Sequence, residues 1–501
     1  MSIAKIFGAQ PRIISADKIE IEIDISNGLH SFIIIGLGDR SVEESKDRIS
    51  SAIKNSGFKS PKQQNQKVVI SLAPANIKKT GAIFDLPMAI GYLQATKQIN
   101  VDLSKKMFIG ELSLDGKTRH TKGVLHAVLL AKKINCDEVY IPKDNVVECS
   151  IIKNIKIFPV ESLSQIIKHL QNPFIKNNFE TKSFYKKETK TDNIFDSVIG
   201  NEDAKRAIII SASGGHNICM SGPPGTGKTM LAKSIVEIMP ELNYKQLIES
   251  TAIYSSTKTL SEPIYNPPFR NPHHTSSYVS LIGGGNNIRP GEITLAHNGI
   301  LFLDEFPEFD RRFIESLRQP LEEKSITLSR SSGTEVFPAN FILIAAMNPC
   351  PCGYYKTGVN KCKCDIGSIL KYQKKISGPI MDRIDLWVNV KKIEYQKINS
   401  QNSNANDIEK IKNIILNTRK KQFARFGKLN NQLTNLDLKK HTSIDQKSLQ
   451  ILQKYSEKMQ ISIRSYFKIL KISKTIADIE DSEKIKEPHV LEALQYREKI
   501  F

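Results

Sequence analysis

Ser221-Gly222-Pro223-Pro224-Gly225-Thr226-Gly227-Lys228-Thr229-Met230 matches the phosphate-binding pattern G-x-x-x-x-G-K-[ST] at every fixed position, from Gly222 to Thr229. The flanking residues supply the context that this pattern needs. His216-Asn217-Ile218-Cys219-Met220 is a short, mostly apolar run that reads as a buried strand, and Met230-Leu231-Ala232-Lys233-Ser234-Ile235-Val236 reads as the first turns of a helix. A strand thus delivers a glycine loop to a helix N-terminus. Backbone N–H groups of such a loop wrap phosphates, and the helix end adds partial positive charge. Lys228 is placed to reach the outer phosphates, and the Thr229 hydroxyl to hold Mg²⁺. Gly222 to Met230 is therefore expected to cradle a nucleotide, ATP with Mg²⁺, in an α/β domain.

Two further apolar runs belong with the same sheet. Gly299-Ile300-Leu301-Phe302-Leu303 is continuous enough to be a central parallel strand buried on both faces, and it ends in Asp304-Glu305. Carboxylates at the C-terminal edge of such a strand lie where ligands of open α/β sheets bind. Asp304 is expected to hold Mg²⁺ through water, and Glu305 to polarise the attacking water. Phe341-Ile342-Leu343-Ile344-Ala345-Ala346-Met347 reads as a third strand; Asn348 after it can orient that water or touch the γ-phosphate. Arg383, in Gly378-Pro379-Ile380-Met381-Asp382-Arg383-Ile384-Asp385, is a candidate finger for an adjacent subunit's nucleotide. The alternative is an intrachain pair with Asp382 or Asp385. Arg464, just behind the N-cap candidate Ser462, could contact the nucleotide from a helical lid.

Between those strands, Ser325 to Leu328 and Thr334 to Phe337 read as a β-hairpin with Arg330 near its tip. Pro268-Phe269-Arg270-Asn271-Pro272-His273-His274 and Gly283-Gly284-Gly285-Asn286-Asn287-Ile288-Arg289-Pro290-Gly291-Glu292 form a long stretch rich in Gly and Pro that reads as an irregular insertion. Its Arg270, His273, His274 and Arg289 could meet phosphates or a neighbouring subunit; His273 and His274 make a weak metal pair, because adjacent side chains seldom converge on one ion. Ile194 to Gly200 could pack on an adenine ring or simply join a core. Cys350-Pro351-Cys352 and Cys362-Lys363-Cys364 put four thiols on one short loop, enough for a tetrahedral Zn²⁺ site. Their spacing departs from the commoner C-x₂-C pairs, and reduced free thiols or redox use are the alternatives.

The 501 residues leave room for about three domains. An α+β domain is expected over 1–171. Its strands are placed at Ile19 to Ile25, Ser31 to Ile35, Val68 to Leu72, Met107 to Leu112 and Glu138 to Ile141. Its helices are placed at Val42 to Ser56, Asp85 to Ala95, Val124 to Ile134 and Leu163 to Leu170, with Asp85 as a helix cap. A polar, basic linker follows over 172–193, then the nucleotide domain over 194–395 and a helical domain over 396–501. Lys and Arg number 72 against 52 Asp and Glu, a net +20 that favours polyanions, nucleic acid above all. A plain compositional bias toward Lys would give the same charge. No run of 18 apolar residues suggests a membrane span, and Met1 to Lys18 lacks the apolar segment of a secretory signal. Cytoplasm is the expected compartment.

Taken together, Ser221 to Lys233, Pro267 to Thr275, Gly283 to Glu292, Gly299 to Phe309, Ala346 to Gly353 and Ser377 to Leu386 resemble the YifB/ComM family of magnesium-chelatase-like AAA+ ATPases. Gly36 to Phe58 and Ser71 to Ala89 resemble that family's N-terminal domain, of the ribosomal-S5 type also used by the Lon protease domain. No Ser-Lys dyad is evident over Lys78 to Leu86, so proteolysis is not implied. Ser462 to Asp478 resembles the C-terminal helical lid. The resemblance implies that Lys228 and Thr229 form the first nucleotide motif and Asp304 with Glu305 the second. It further implies Asn348 as sensor one, Arg383 as arginine finger, Arg464 as sensor two, and pore-facing roles for the insertion and the Arg330 hairpin. The four-cysteine loop also matches. The family resemblance implies a homohexameric DNA helicase driving branch migration in natural transformation and homologous recombination. The rivals are a magnesium-chelatase motor and a regulatory protein using ATP as a switch.

Overall fold

Strand formation in the first part of the chain follows period-two alternation. In β2 (Ala16–Asn27), Ile19, Ile21, Ile23 and Ile25 are buried, while Glu20, Glu22 and Asp24 between them remain partly exposed. β2 pairs antiparallel with β1 (Ser2–Pro11), with Ile6 opposite Ile21. These strands belong to a computed structural model that describes residues 2–172, 194–285, 289–330, 333–392, 405–441 and 443–497. The expected linker lies, apart from residue 172, outside the described residues. The described chain forms two units: residues up to 172 with Tyr244–Ile264, and the remainder.

The first unit is a seven-stranded mixed sheet covered by helices. With β3 (Ser31–Ile35), β4 (Gln66–Ala73), β5 (Lys106–Phe108), a β6–β7 ribbon (Glu111–Leu112 with Thr118–Arg119), β8 (Glu138–Pro142) and β9 (Lys156–Val160), the order is β3-β4-β2-β1-β5-β8-β9. The expected strand over 107–112 breaks at Gly110, whose φ of 157° and amide bond to the Ile83 carbonyl take it out of the ladder. β1 and β9 were not anticipated from the sequence.

The expected capping role of Asp85 is corrected. The helix Asp85–Ala95 has Phe84 at its N-cap, with no side-chain cap. Asp85 is fully buried and accepts from Arg48 Nε at 2.7 Å, Arg48 Nη2 at 3.1 Å, the Leu112 amide at 3.2 Å and the Ser45 hydroxyl. Burial pushes its carboxyl up, and these donors oppose that shift. An ion pair tying the helix Arg40–Asn55 to the helix Asp85–Ala95 has taken the carboxylate that a cap would have used.

The helix Tyr244–Ser255 also belongs to this unit, although its sequence lies beyond the phosphate loop. Ala252 joins the core, with Leu247 and Ile248 packed against it. His126, on the helix Val124–Lys133, is buried and donates from Nε2 to the Ala252 carbonyl at 3.1 Å.

The second unit is built on five parallel strands. β10 (Ile218–Ser221), β11 (Phe269–Arg270), β14 (Ile300–Leu303), β17 (Ile342–Met347) and β18 (Leu386–Asn389) take the order β11-β14-β17-β10-β18. Every residue of β10, β14 and β17 is buried, as a doubly covered parallel sheet requires. β17, not β14, is the central strand. β15 (Ser325–Arg330) and β16 (Gly333–Pro338) form the expected hairpin, with the Arg330 backbone beside its tip. The insertion is more regular than its composition suggested. It contributes β11 to the sheet edge, a short helix Tyr278–Ile282 capped by Ser277, and a ribbon of β12 (Gly283–Gly284) with β13 (Arg289–Pro290).

Among the described residues, the C-terminal part of this unit contributes the helices Ala405–Phe426, Asn435–His441, Gln446–Lys458, Ile463–Ile479 and Glu487–Gln495. Ile469, Ile472 and Ile476 enter the same core as Ile208, Ile235 and Phe302. Phe195 and Val198 are buried in that core as well, which accounts for the apolar Ile194 to Gly200 run.

Burial pushes the His126 imidazole down to about 4, against about 6.5 in an unfolded chain. The neutral ring's stabilisation is therefore fully present above pH 6.5 and lost as the pH falls through 4, on the order of 3 kcal/mol in all. Hydrogen exchange of the Tyr244–Ser255 amides should accelerate over that window. His126→Gln should flatten the dependence.

Candidate functional site

Parallel pairing brings three strand ends to one edge. Ser221 stands opposite Met347 and Leu303 opposite Ala345, so the chain leaves β10, β17 and β14 side by side at Gly222, Asn348 and Asp304. The helix Lys228–Ile238 starts there with Gly227 at its N-cap, φ 82°. Lys228 is only 9% exposed. Its ammonium donates to the carbonyls of Gly222 at 2.7 Å and Pro223 at 2.9 Å, and to Asn348 Oδ1 at 3.2 Å. The Thr229 hydroxyl donates to Asp304 Oδ2 at 2.7 Å. Burial lowers the pKa of Lys228, and Asp304 and Glu305 oppose that shift. The structure thus brings Lys228, Thr229, Asp304 and Asn348 together.

The loop fits a polyphosphate in shape as well as charge. A side chain at Gly222 would stand 2.3 Å from the Val390 carbonyl, so only glycine allows this strand-end approach. Gly225 and Gly227 have positive φ and open space where a Cβ would sit, leaving the outer face of the loop free. An ammonium resting on three neutral oxygens can exchange them for phosphate oxygens.

Glu305 follows Asp304 in a left-handed conformation, φ 50°, unusual for a non-glycine residue. Its amide donates to Asp304 Oδ1 at 3.0 Å, and its carboxylate lies 3.2 Å from His274 Nδ1. β11 pairs with β14, Arg270 opposite Leu301, and this register brings the residues after the two strands together. No local pattern in the sequence signals the His274–Glu305 contact. His273 instead meets the Thr275 hydroxyl at 2.8 Å, so the two histidines take different hydrogen-bond partners.

Arg383 and Arg464 make their contacts elsewhere. Both bind Glu322, at the end of the helix Arg318–Glu323, Arg383 at 2.7 Å. Arg383 also donates to the Pro379 carbonyl at 2.5 Å. Burial raises the Glu322 carboxyl, and the two guanidiniums more than offset this, holding it below the usual range. Arg383 thus does form an intrachain pair, the alternative to the finger role, but with Glu322 rather than Asp382 or Asp385. Asp385 is taken by the Asn217 amide at 3.0 Å and lies 3.6 Å from His216. Arg270 forms a two-pronged pair with Glu292, at 2.6 and 2.7 Å, while Arg289 is exposed.

Among the described residues, one group of metal-ligating side chains converges: Cys350, Cys352, Cys362 and Cys364, with ligand atoms within 4.8 Å of one another. Backbone N–H groups, with Lys363 foremost and Tyr354 next, draw the Cys352 thiol down to about 6. No helix among the described residues is long and apolar enough to cross a membrane.

Family models agree along the chain. The model for magnesium chelatase, subunit ChlI, matches residues 194–398, that for subunit ChlI of Mg-chelatase matches 21–145, and that for the ChlI C-terminal region matches 405–497. Competence protein ComM of Haemophilus influenzae is 36% identical over 505 residues, spanning 99% of this chain and 98% of its own length. The uncharacterized protein YifB of Salmonella typhimurium is 36% identical over 500 residues, 99% of this chain and 97% of its own. A shorter match, 26% over 209 residues, covers 39% of this chain and 22% of DNA replication licensing factor Mcm6 of Drosophila melanogaster. With end-to-end identity to ComM and YifB and ChlI models over all three regions, the chain belongs to the YifB/ComM family of magnesium-chelatase-like AAA+ ATPases.

Proposed function

We propose that this protein is a ring-forming ATPase that couples ATP hydrolysis to remodelling of DNA, as a cytoplasmic branch-migration helicase in natural transformation and homologous recombination. The observation that carries the hydrolytic part is the meeting of Lys228, Thr229, Asp304 and Asn348 at one sheet edge, with Glu305 beside them. The DNA part is supported by the similarity to competence protein ComM and to DNA replication licensing factor Mcm6, and by the net charge of +20.

Lys228 exchanges its carbonyl partners for the outer phosphates, within the cradle Gly222 to Met230. Thr229 and Asp304, bonded to each other at 2.7 Å, are the residues that would hold Mg²⁺. That ion, when bound, neutralises charge on the phosphate oxygens. Glu305 takes the proton of the attacking water, with His274 orienting its carboxylate, and Asn348 positions the same water. Arg383, as finger, completes an adjacent protomer's site in a homohexamer, and Arg464, as sensor two, contacts the nucleotide from the helical lid; to do so both must leave Glu322. We assign residues 1–171 to a domain of the ribosomal-S5 and Lon-protease type, 194–395 to the AAA+ core and 396–501 to the lid. A chelatase motor is the second reading, favoured by the ChlI models. DNA-stimulated ATP turnover separates it, and a regulatory switch, from the helicase.

Glu305→Gln should leave ATP affinity unchanged and lower turnover by about 10²- to 10⁴-fold, read by nucleotide binding beside steady-state phosphate release. Retained hydrolysis would remove the base assignment. Arg383→Ala should abolish turnover while the monomer keeps its melting temperature, and wild-type turnover per chain should fall on dilution below ring assembly. Forked or single-stranded DNA should stimulate the wild type, with an effect that shrinks as salt rises. Indifference to DNA at low salt would leave the chelatase or switch readings.

A further inference from the structure

We propose that Cys350, Cys352, Cys362 and Cys364 bind one zinc ion, and that this centre braces Asn348 and Gly353 against the phosphate loop, so that nucleotide affinity depends on the metal. The proposal rests on the nucleotide site above for what the brace acts upon. Sulfur–sulfur separations are 3.4 Å for Cys350 and Cys352, 3.8 Å for Cys350 and Cys362, and 3.6 Å for Cys352 and Cys362. A disulfide requires about 2.05 Å, so these cysteines are not cross-linked. Thiolates placed tetrahedrally about 2.3 Å from zinc stand about 3.8 Å apart, close to the separations found.

The backbone prepares the same arrangement. The Gly353 amide donates to the Cys350 carbonyl at 2.9 Å, closing a tight turn around the first two sulfurs, with Gly353 at φ 85°. The Tyr355 amide donates to Cys350 Sγ at 3.3 Å, a contact that suits an anionic sulfur and fixes its direction. Cys350 is fully buried, so its thiolate needs a cation beside it.

The brace follows from chain connectivity. Cys350 comes two residues after Asn348, which accepts from Lys228. Gly353 directly follows Cys352, and a Cβ there would lie 2.6 Å from Pro224 Cδ in the phosphate loop and 3.8 Å from Asn348 Cγ. Whatever fixes Cys350 and Cys352 therefore fixes both flanks of the Lys228 amine. Cys362 and Cys364 return the intervening loop to the same point, and a metal is the group that can hold all four thiolates at once.

The test uses the full chain purified without chelator. Elemental analysis should find one zinc per chain, and Co²⁺ replacement should give the visible absorption of a tetrahedral thiolate site. Removing zinc should weaken binding of a fluorescent ADP analogue by about tenfold, and Zn²⁺ but not Mg²⁺ should restore it. Cys362→Ser and Cys364→Ser should lose zinc and affinity together; if either fails to fold, stripping the wild type decides. A chain with four titratable thiols that takes up no zinc overturns the metal site. Zinc whose removal leaves ADP-analogue affinity unchanged overturns the brace. Zinc binding with no nucleotide binding in either form overturns the brace and the ATPase reading together, which keeps the two failures distinguishable.

Discussion

Parallel pairing of β10, β17 and β14 is the constraint on which the site depends. Thr229 and Asp304 are 75 residues apart, and Lys228 and Asn348 are 120 apart. Adjacent strands running the same way must end at the same edge, and there the polar residues that follow each buried run meet without distorting the strands. The core supplies the rigidity, since all residues of the three strands are buried. The left-handed turn at Glu305 is backbone strain of about 1–3 kcal/mol, at a residue whose carboxylate lies 3.2 Å from His274 Nδ1.

Asn217, just before β10, ties the opposite, N-terminal end of these strands to the segments bearing the arginines. Its side-chain carbonyl accepts from the Leu343 amide at 2.9 Å, its amide group donates to the Arg383 carbonyl at 2.9 Å, and its backbone N–H donates to Asp385. His216 next to it meets Thr475 at 2.8 Å on the helix Ile463–Ile479, the helix that begins beside Arg464. A single buried polar cluster thus connects the foot of the phosphate-loop strand with the segments bearing Arg383 and Arg464. Buried polar groups joined into such a network favour one arrangement over many.

Much of this was legible in the sequence because the nucleotide site is local in pattern and the sheet is continuous in hydrophobicity. The phosphate loop, the strands before Asp304 and Asn348, the hairpin and the helix Ile463–Ile479 all have a period or a motif that short windows reveal. Pairwise choices among charges were not legible. Arg383 had Asp382 and Asp385 within two residues, yet it took Glu322; Asp85 had a vacant helix end at hand, yet it took Arg48. Such choices are made by packing between distant elements, which leaves no trace in spacing. β1 escaped notice because Gly8 and Ala9 dilute its alternation, and β11 to β13 because two-residue strands carry no period.

The helix Tyr244–Ser255 gives the two units an unusual covalent relation. The backbone enters the second unit, lays down β10 and the helix after it, returns to the first to deposit Ala252 under His126, and goes back to begin β11. Three passages of chain therefore join what one linker would ordinarily join. A protease nick within 173–193 would leave the halves still tethered twice, and a fragment ending at residue 172 would be missing a wall of its own core. Autonomy of either half is a property of the folded surface, not of any contiguous stretch of sequence.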